Sequence, residues 1–274
     1  MTDYTVANEA TLRLSVFLFI LTVMILAETA FPRKTRTMRR AHRWSSNILL
    51  TVIDGVFVRL LFPIIAVGAA VIASENQWGL FNLIERPLWS EVLLTILILD
   101  MLIYWQHVAF HRIPFLWAMH KVHHADRDID VTTGFRFHPL EIALSMAYKI
   151  ALIFLLGAPV LAVIIFEIIL NGCAMFNHSN VELPLNFDKV VRRIIVTPDM
   201  HRVHHSTVPS ETNSNYGFNL SLWDRLFGTY IAQPAKGHDD MVIGLEDYQT
   251  SGPNSLAWSL WLPIKAKKSL ETWF

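Results

Sequence analysis

Thiol chemistry is nearly absent from this chain of 274 residues, which contains one cysteine, Cys173. A single cysteine excludes a disulfide within the chain and any zinc or iron–sulfur site made of four thiolates from this chain alone. Charge is also scarce, because Asp, Glu, Lys and Arg make up 17% of the residues where soluble proteins average about 25%. The 23 basic and 23 acidic residues cancel, so no net charge indicates a nucleic-acid partner.

Apolar residues, by contrast, make up 53% of the chain and occur in long runs. A helix needs about 20 apolar residues to cross a bilayer. Four stretches approach or exceed that length, namely residues 12–31, 47–73, 91–106 and 140–176. Gly157, Ala158 and Pro159 interrupt the last stretch, and we predict that it forms a hairpin that enters and leaves the membrane on one side. The expected fold is an all-α integral membrane protein with about four transmembrane or hairpin segments.

Basic residues predict the orientation of these segments. Residues 32–46 contain six of them, whereas residues 74–90 contain one. Because Lys and Arg concentrate in cytoplasmic loops, we predict that residues 32–46 lie in the cytoplasm. With a hairpin at 140–176, the rest of the chain from His107 onward also lies on that side and forms a histidine-rich helical cap.

Histidine is abundant, with twelve residues in the chain. Eight of them form three groups with helical spacing: His107 with His111; His120 with His123 and His124; and His201 with His204 and His205. Residues at i, i+3 and i+4 share one face of a helix, so each group is expected to present its rings together. A single histidine is usually a core or surface residue, but that interpretation does not explain eight at this spacing. Metal ions bind the neutral ring and relieve repulsion between imidazoles, so the spacing predicts a metal site.

The number of histidines exceeds the four ligands at which a structural zinc site saturates, so two metals are expected. Imidazole suits zinc, copper, iron and nickel, and the spacing does not choose among them. The segment from His107 to His111 lacks the glutamate of the HExxH motif, which disfavours a zinc metalloprotease. The chain also contains no GxSxG, GxGxxG or P-loop motif, which disfavours a serine hydrolase or a nucleotide-dependent enzyme.

HxxxH followed by two HxxHH groups in a membrane protein resembles the fatty acid hydroxylase/sterol desaturase superfamily. The flanking segments are similar too: HRIPFLWAMHKVHH at 111–124, FRFHPLE at 135–141, FNHSN at 176–180, TPDMHRVHH at 197–205 and NLSLWDRLFGTY at 219–230. The resemblance implies a membrane-bound non-haem di-iron oxygenase that hydroxylates or desaturates a lipid C–H bond with O2. It divides the chain into two N-terminal spans (residues 1–90), a di-metal catalytic domain (91–245) and an amphipathic C-terminal tail (246–274).

The resemblance also implies a set of metal ligands for two non-haem iron ions, which zinc can replace in purified protein. These ligands are His107, His111, His120, His123, His124, His138, His178, His201, His204 and His205. Nearby carboxylates are expected either to orient these rings or to cap helices and form ion pairs; they are Asp126, Glu141, Asp199 and Asp224. Asp100 is expected near a substrate passage or paired with Lys149 or Arg59. Trp105 and Trp117 are interpreted as membrane-interface anchors, and His42 and His238 have no assigned role.

The implied partners are a lipid substrate from the bilayer, O2 and a separate electron donor of cytochrome b5, ferredoxin or flavoprotein type. The alternative is a non-catalytic membrane protein that binds or transports metal. Transporters tend to place polar ligands in the middle of a span, whereas these histidines fall at the ends of the predicted spans. Their position therefore favours an enzyme.

Overall fold

The structure is a computed structural model that describes residues 8–83 and 85–265. Its α-helices are α1 (Glu9–Ala30), α2 (Arg40–Leu61), α3 (Ala66–Glu75), α4 (Leu88–Arg112), α5 (Pro114–His124), α6 (Pro139–Leu156), α7 (Val160–His178), α8 (Leu185–Val191), α9 (Pro198–His204), α10 (Pro209–Thr212), α11 (Leu222–Leu226), α12 (Gly237–Asp240) and α13 (Leu256–Lys265). Short 3₁₀ helices cover Leu80–Leu83, Val131–Phe135, Glu246–Tyr248 and Gly252–Asn254. Pairing of extended backbone in these described ranges is limited to the isolated bridges Pro32–Val181, Ile195–Leu220 and Ser206–Ile243. The all-α prediction is confirmed for this part of the chain.

Five helical stretches are long and apolar enough to cross a bilayer, by their length and composition. They are α1, the stretch Arg40–Leu83 that contains α2 and α3, and the helices α4, α6 and α7. The sequence predicted about four segments because it treated residues 140–176 as one hairpin. The structure resolves that hairpin into helices of 18 and 19 residues, each of which has the length of a candidate span.

The second predicted stretch, residues 47–73, is broken in the structure. Helix α2 ends at Leu61, and α3 begins at Ala66. Pro63 has no backbone N–H and disfavours helical backbone at the residue before it. Phe62 accordingly has an extended conformation, with φ −114° and ψ 114°.

The chain reversal predicted in residues 140–176 is present. Glu141, in the first turn of α6, contacts His120, and His178, the last residue of α7, contacts His123. The start of α6 and the end of α7 therefore lie at the same end of the molecule. The apolar core lies between α3, α4, α6 and α7, where the buried alanines Ala66, Ala69 and Ala70 of α3 allow close packing.

Gly157→Ala is expected to lower the free energy of unfolding by about 2 kcal/mol or more, because two effects add. Gly157 ends α6 with φ 65° and ψ 43°, a left-handed conformation that costs other residues roughly 1–2 kcal/mol. A Cβ atom there would also lie 2.4 Å from the carbonyl oxygen of Trp78. The matched control is Gly55→Ala in α2, where a Cβ meets no atom within 4 Å. Thermal unfolding in detergent would contradict the expectation if the two variants had the same Tm.

Buried ion pairs attach the ends of α1 and α2 to the histidine-bearing segments. Glu28, in the last turn of α1, is fully buried and accepts hydrogen bonds from the backbone N–H groups of Val131 and Asn180. Its carboxylate also pairs with Arg40 at 2.7 Å. A buried carboxylate without such partners is costly, so these contacts fix the position of the end of α1.

Arg43, one of the basic residues of the segment 32–46, is not a solvated loop residue. It lies inside α2 and is buried. Its guanidinium donates to Asp126 at 2.7 and 2.8 Å and to Asp130 at 2.6 Å. The basic segment is therefore partly an attachment to the histidine-bearing region and not only a solvated loop.

The C-terminal tail is described as far as Lys265. Helix α13 buries Leu262 and Ser259, while Trp261 and Ile264 are exposed. Leu262 belongs to an apolar cluster with Trp117 and Val122 of α5. The tail thus packs on the helix that carries three of the histidines, and the rest of the predicted tail, residues 266–274, lies outside the described residues.

Candidate metal centre

Nine buried histidines form two groups in which one ring nitrogen per residue lies within 4.8 Å of the others. The first group consists of His107, His111, His120, His124 and His204, and the second of His123, His178, His201 and His205. Helices α4, α5, α7 and α9 supply these side chains, and His205 directly follows α9. The structure therefore gathers rings that are nearly 100 residues apart in sequence.

Each HxxHH motif contributes to both groups. In α5, His120 and His124 belong to the first group and His123 to the second. In the 201–205 motif, His201 and His205 belong to the second group and His204 to the first. Because successive residues are rotated by about 100° around a helix, the i and i+4 rings share a direction while the third ring turns to the other group. The spacing predicts that each trio presents its rings together, whereas the structure divides each trio between the two groups.

Backbone carbonyl groups fix the orientation of several rings. Nδ1 of His107 donates to the carbonyl of Tyr216 at 2.7 Å, and Nδ1 of His204 donates to that of Ser214 at 2.6 Å. In the second group, Nδ1 of His178 donates to the carbonyl of Ala174 at 2.7 Å. A carbonyl oxygen only accepts, so in each neutral ring Nε2 is the nitrogen with a free lone pair. These contacts aim lone pairs into the groups, as outer partners of metal ligands do.

The lone pairs face one another at short distance. Nε2 of His107 lies 3.1 Å from Nε2 of His204, and Nε2 of His123 lies 3.1 Å from Nε2 of His178. The Nδ1 of His123 donates to the carbonyl of Arg136 at 3.2 Å, so none of these four nitrogens carries a proton to share. Two lone pairs at that separation repel unless a cation lies between them.

Other ring nitrogens are buried without a hydrogen-bond partner among the described residues: both nitrogens of His111, His124 and His205, and Nδ1 of His201. Leaving a buried polar atom unsatisfied costs about 1–3 kcal/mol, and several such atoms in one place are not expected in a stable core. Metal ions coordinated by these nitrogens would remove the penalty. The donor set therefore fits metal binding.

Of the four carboxylates that are expected from the sequence to orient the histidine rings, Glu141 is the one that contacts a ring of either group. Its Oε1 lies 2.6 Å from Nδ1 of His120. The other three carboxylates have different partners. Asp126 pairs with Arg43, and Asp199 pairs with Arg202 and Arg33. Asp224 accepts hydrogen bonds from the backbone N–H groups of Tyr216 and Gly217. Asp224 thereby supports the Tyr216 backbone whose carbonyl orients His107.

His138 is the one expected ligand that the structure does not bring to either group. It is the N-cap residue of α6, where its Nδ1 accepts a hydrogen bond from the backbone N–H of Leu140 at 3.2 Å. Its Nε2 lies 3.3 Å from the carbonyl oxygen of Leu260. Both ring nitrogens of His138 are thus used in hydrogen bonds. The two histidine groups therefore contain nine of the ten predicted ligands.

Asp100 and Trp117 also differ from expectation. Asp100 accepts a hydrogen bond from the indole of Trp223 at 2.8 Å, while Lys149 pairs with Glu167 instead. Trp117 is buried, and its ring centroid lies 4.9 Å from that of His111. It is therefore a wall of the first histidine group and not a membrane-interface anchor.

Sequence reasoning missed two kinds of contact with the histidines. Phe137 stacks on His123 with centroids 4.6 Å apart and an interplanar angle of 6°; its place in the FRFHPLE segment was a signal that was available. Tyr216 lies 5.1 Å from His111, and its carbonyl binds His107. Backbone carbonyls have no side-chain signal, so that second contact could not be found from the sequence.

Burial keeps the rings outside the membrane-length helices neutral. It lowers the pKa of His120 to about 3 and holds the pKa values of His123, His124, His201 and His204 well below the usual value, as neighbouring rings disfavour added positive charge. Neutral imidazole is the form that binds metal.

The metal-free protein is expected to lose stability as the pH falls below about 6.5, the pKa of histidine in an unfolded chain. Below this pH the histidines of the unfolded chain take up protons, whereas the buried rings of the folded protein do not. Each such ring therefore lowers the free energy of unfolding by up to about 1.4 kcal/mol per pH unit. For His120 the loss continues down to a pKa of about 3. Thermal unfolding of chelator-treated protein across this range tests the expectation, which a pH-independent Tm would contradict.

A cavity of about 290 Å³ adjoins the first group. His107, His120 and Glu141 line one end of it, and Lys149, Glu167 and Arg13 line it as well. Apolar side chains contribute much of the remaining wall: Ile103, Phe110, Phe137, Ile142, Met146, Leu170 and Phe218. The candidate metal centre therefore adjoins a largely apolar cavity that the membrane-length helices line.

Membrane-length helices around two buried groups of histidines that could hold metal ions define a helical protein of membrane type with a candidate polyhistidine metal site. The fatty acid hydroxylase family profile matches residues 92–229, a range that includes all nine grouped histidines. The chain belongs to this family.

Relatives of known function are lipid hydroxylases and monooxygenases. An ornithine lipid hydroxylase of Rhizobium tropici is 28% identical over 83% of this chain and 70% of its own length. An alkylglycerol monooxygenase of Xenopus tropicalis is 33% identical over 69% of this chain, and a cholesterol 25-hydroxylase of Rattus norvegicus is 24% identical over 54%. The chain spans 41% and 49% of the lengths of these last two proteins. No solved structure matches the chain.

Proposed function

We propose that this protein is a membrane-bound, non-haem di-iron oxygenase that hydroxylates or desaturates a C–H bond of a lipid with O2. The observation that carries the proposal is the pair of histidine groups, one of which borders a largely apolar cavity. Membership of the fatty acid hydroxylase family supports the same reaction class. The position of the groups at the ends of the membrane-length helices favours an enzyme over metal transport.

Each histidine group would hold one iron ion, with five rings available to the first and four to the second. Bound iron would supply the redox chemistry with O2 that oxidation of an unactivated C–H bond requires. The aligned Nε2 atoms of His107 and His204 are the ligands whose orientation the backbone fixes most directly. Glu141 would hold His120 in one tautomer through its bond to Nδ1.

The protein's own contribution is burial and positioning. Phe110 and Phe218 line the cavity beside His107, so an alkyl chain placed there would displace water from the site. Trp117 and Phe137 cover other rings of the two groups. A dry, fixed site of this kind would confine oxidation to the carbon that reaches the histidines.

The substrate is proposed to be a lipid with an alkyl or acyl chain that enters from the bilayer. The names of two relatives refer to ornithine lipid and alkylglycerol, which are both polar lipids of this kind. Electrons are proposed to come from a separate protein of cytochrome b5, ferredoxin or flavoprotein type. We also propose that residues 1–90 act as a membrane anchor for the catalytic region 91–245.

The experiment that tests the proposal is expression in a host that lacks this activity, followed by metal analysis and lipid mass spectrometry under ¹⁸O2. We expect two iron ions per chain and, for hydroxylation, a new lipid carrying ¹⁸O; desaturation would instead give a lipid that has lost two hydrogens. Protein that retains only zinc, together with unchanged lipids in reducing and aerobic conditions, would overturn the oxygenase proposal.

The histidine groups are proposed to lie on the cytoplasmic side of the membrane, which the basic segment 32–46 supports. In a Cys173→Ala background, which removes the sole cysteine, exposed positions near either end of the second candidate span offer a direct test. We expect a membrane-impermeant maleimide added to intact cells to label Ser74→Cys but not His42→Cys. Labelling of His42→Cys alone would reverse the orientation, and both variants should react after the cells are broken.

A further inference from the structure

A network of charged side chains lies within the membrane-length helices. The Nζ atom of Lys149 in α6 contacts Oε1 of Glu167 in α7, and Nη2 of Arg13 in α1 donates to Oε2 of the same carboxylate at 2.8 Å. Charged residues inside membrane-spanning segments are costly, and they commonly mark functional sites. This network therefore needs an explanation beyond helix packing.

The network lines the same cavity as the histidines. His107 and His120 border one end of the cavity, and Arg13, Lys149 and Glu167 border it farther along. Lys149 and Glu167 each lie about 15 Å along their helices from the ends of α6 and α7 that meet the histidines. Most of the wall between these ends is apolar. The cavity thus has a metal-binding end, an apolar middle and a charged end, which is the polarity of an amphiphile.

The charged end presents two cations and one carboxylate to the cavity. Arg13 and Lys149 share the single carboxylate of Glu167, and the other carboxylate that lines the cavity, Glu141, is at the histidine end. Glu9 also pairs with Arg13 at 2.9 Å, but it lines a neighbouring cavity on the other side of Arg13. The Nε atom of Arg13 is buried without a hydrogen-bond partner among the described residues. With Glu9 counted, the whole network is neutral. The two cations that face one carboxylate inside the cavity, together with the spare donor of Arg13, are complementary to an anionic group.

We propose that Arg13 and Lys149, held by Glu167, bind the anionic end group of an alkyl-chain lipid. Its chain then lies along the apolar middle, and the carbon to be oxidised reaches His107 and His120. The inference rests on the proposed oxygenase function and narrows its substrate to lipids with a carboxylate or phosphate end group. Sterols, carotenoids and unphosphorylated alkylglycerols, which lack such a group, are disfavoured substrates.

Binding to the full-length, metal-free protein in nanodiscs tests the proposal, with tritiated hexadecanoate as the probe. Hexadecyl phosphate, hexadecanol and hexadecyltrimethylammonium serve as competitors of equal chain length. We expect the phosphate to compete about as well as unlabelled hexadecanoate, hexadecanol to compete about tenfold less well, and the ammonium compound least, because charge-assisted hydrogen bonds are the stronger ones. Competition by hexadecanol equal to that by hexadecanoate would overturn the proposal. Strong competition by hexadecyl phosphate alone would support the proposal and identify phosphate as the anionic end group.

Two variants separate substrate binding from a purely structural ion pair, because both remove the ion pair between Lys149 and Glu167. Lys149→Met removes a cation and is expected to weaken hexadecanoate binding about tenfold without changing hexadecanol binding. Glu167→Gln removes the competing anion and is expected to leave hexadecanoate binding unchanged or tighter. Equal loss of binding in both variants would overturn the proposal.

Arg59→Gln is the matched control, since Arg59 lines only the neighbouring cavity, and its hexadecanoate binding should equal that of the wild type. Failure of the oxygenase proposal is distinguishable from failure of this one because the binding assay needs neither iron nor turnover. Selective hexadecanoate binding by a protein that oxidises no lipid would support the binding site and overturn the oxygenase.

Discussion

Replacing His204 or His201 by alanine is expected to reduce bound iron from two ions per chain to about one and to abolish lipid oxidation. The two residues lie on the same short helix, α9, but belong to different histidine groups. Each loss therefore removes a ligand from one group and leaves the other group intact. Loss of an outer partner alone commonly costs 10–100-fold in metal affinity or activity, so we expect the activity of either ligand variant to fall by more than about 100-fold.

His138→Ala is the matched control, because His138 is a buried histidine whose ring is used in hydrogen bonds outside both groups. It should retain two iron ions and most of the activity, with a somewhat lower Tm from loss of the N-cap. Iron content by mass spectrometry and product formation are measured on the same preparations. Retention of two iron ions in both α9 variants would contradict the division into two groups. Loss of iron in His138→Ala would show that His138 is a metal ligand after all.

Arg43→Met is expected to be the most destabilising substitution outside the histidine groups. It would leave Asp126 and Asp130 buried without their shared cation, and breaking a buried pair in this way costs about 3–5 kcal/mol. Asp126 follows His124 by two residues, and it also accepts from Thr133 at 2.8 Å. The loss should therefore loosen the chain between α5 and α6 as well as detach α2, and lower both the Tm and the amount of iron retained.

Arg39→Met provides the control, since Arg39 immediately precedes α2 and is exposed; its effect should stay within about 0.5 kcal/mol. Arg43→Lys keeps the charge but not the two-pronged geometry, and we expect an intermediate Tm. Thermal unfolding in detergent that gives Arg43→Met and Arg39→Met the same Tm would refute the importance of this network.

Much of the fold follows from local sequence. Apolar runs predicted α1, α4 and the α6–α7 hairpin because helix formation and burial in lipid both act on contiguous residues. The break at Pro63 was missed although its cause is local. The structure has five candidate spans, where the sequence predicted about four segments, because each arm of the hairpin has the length of a span.

The sequence by itself determined the helical architecture and eight of the nine histidines that come together, because helical spacing and apolar runs are properties of neighbouring residues. The resemblance of its motifs to a known family added His178. Only the tertiary structure decided which ring belongs to which group and that His138 belongs to neither. It also decided that Lys149 pairs with Glu167 instead of Asp100 and that Arg43 is buried. These outcomes depend on contacts between residues far apart in the chain and on backbone carbonyls, which carry no signal in the identity of the side chain.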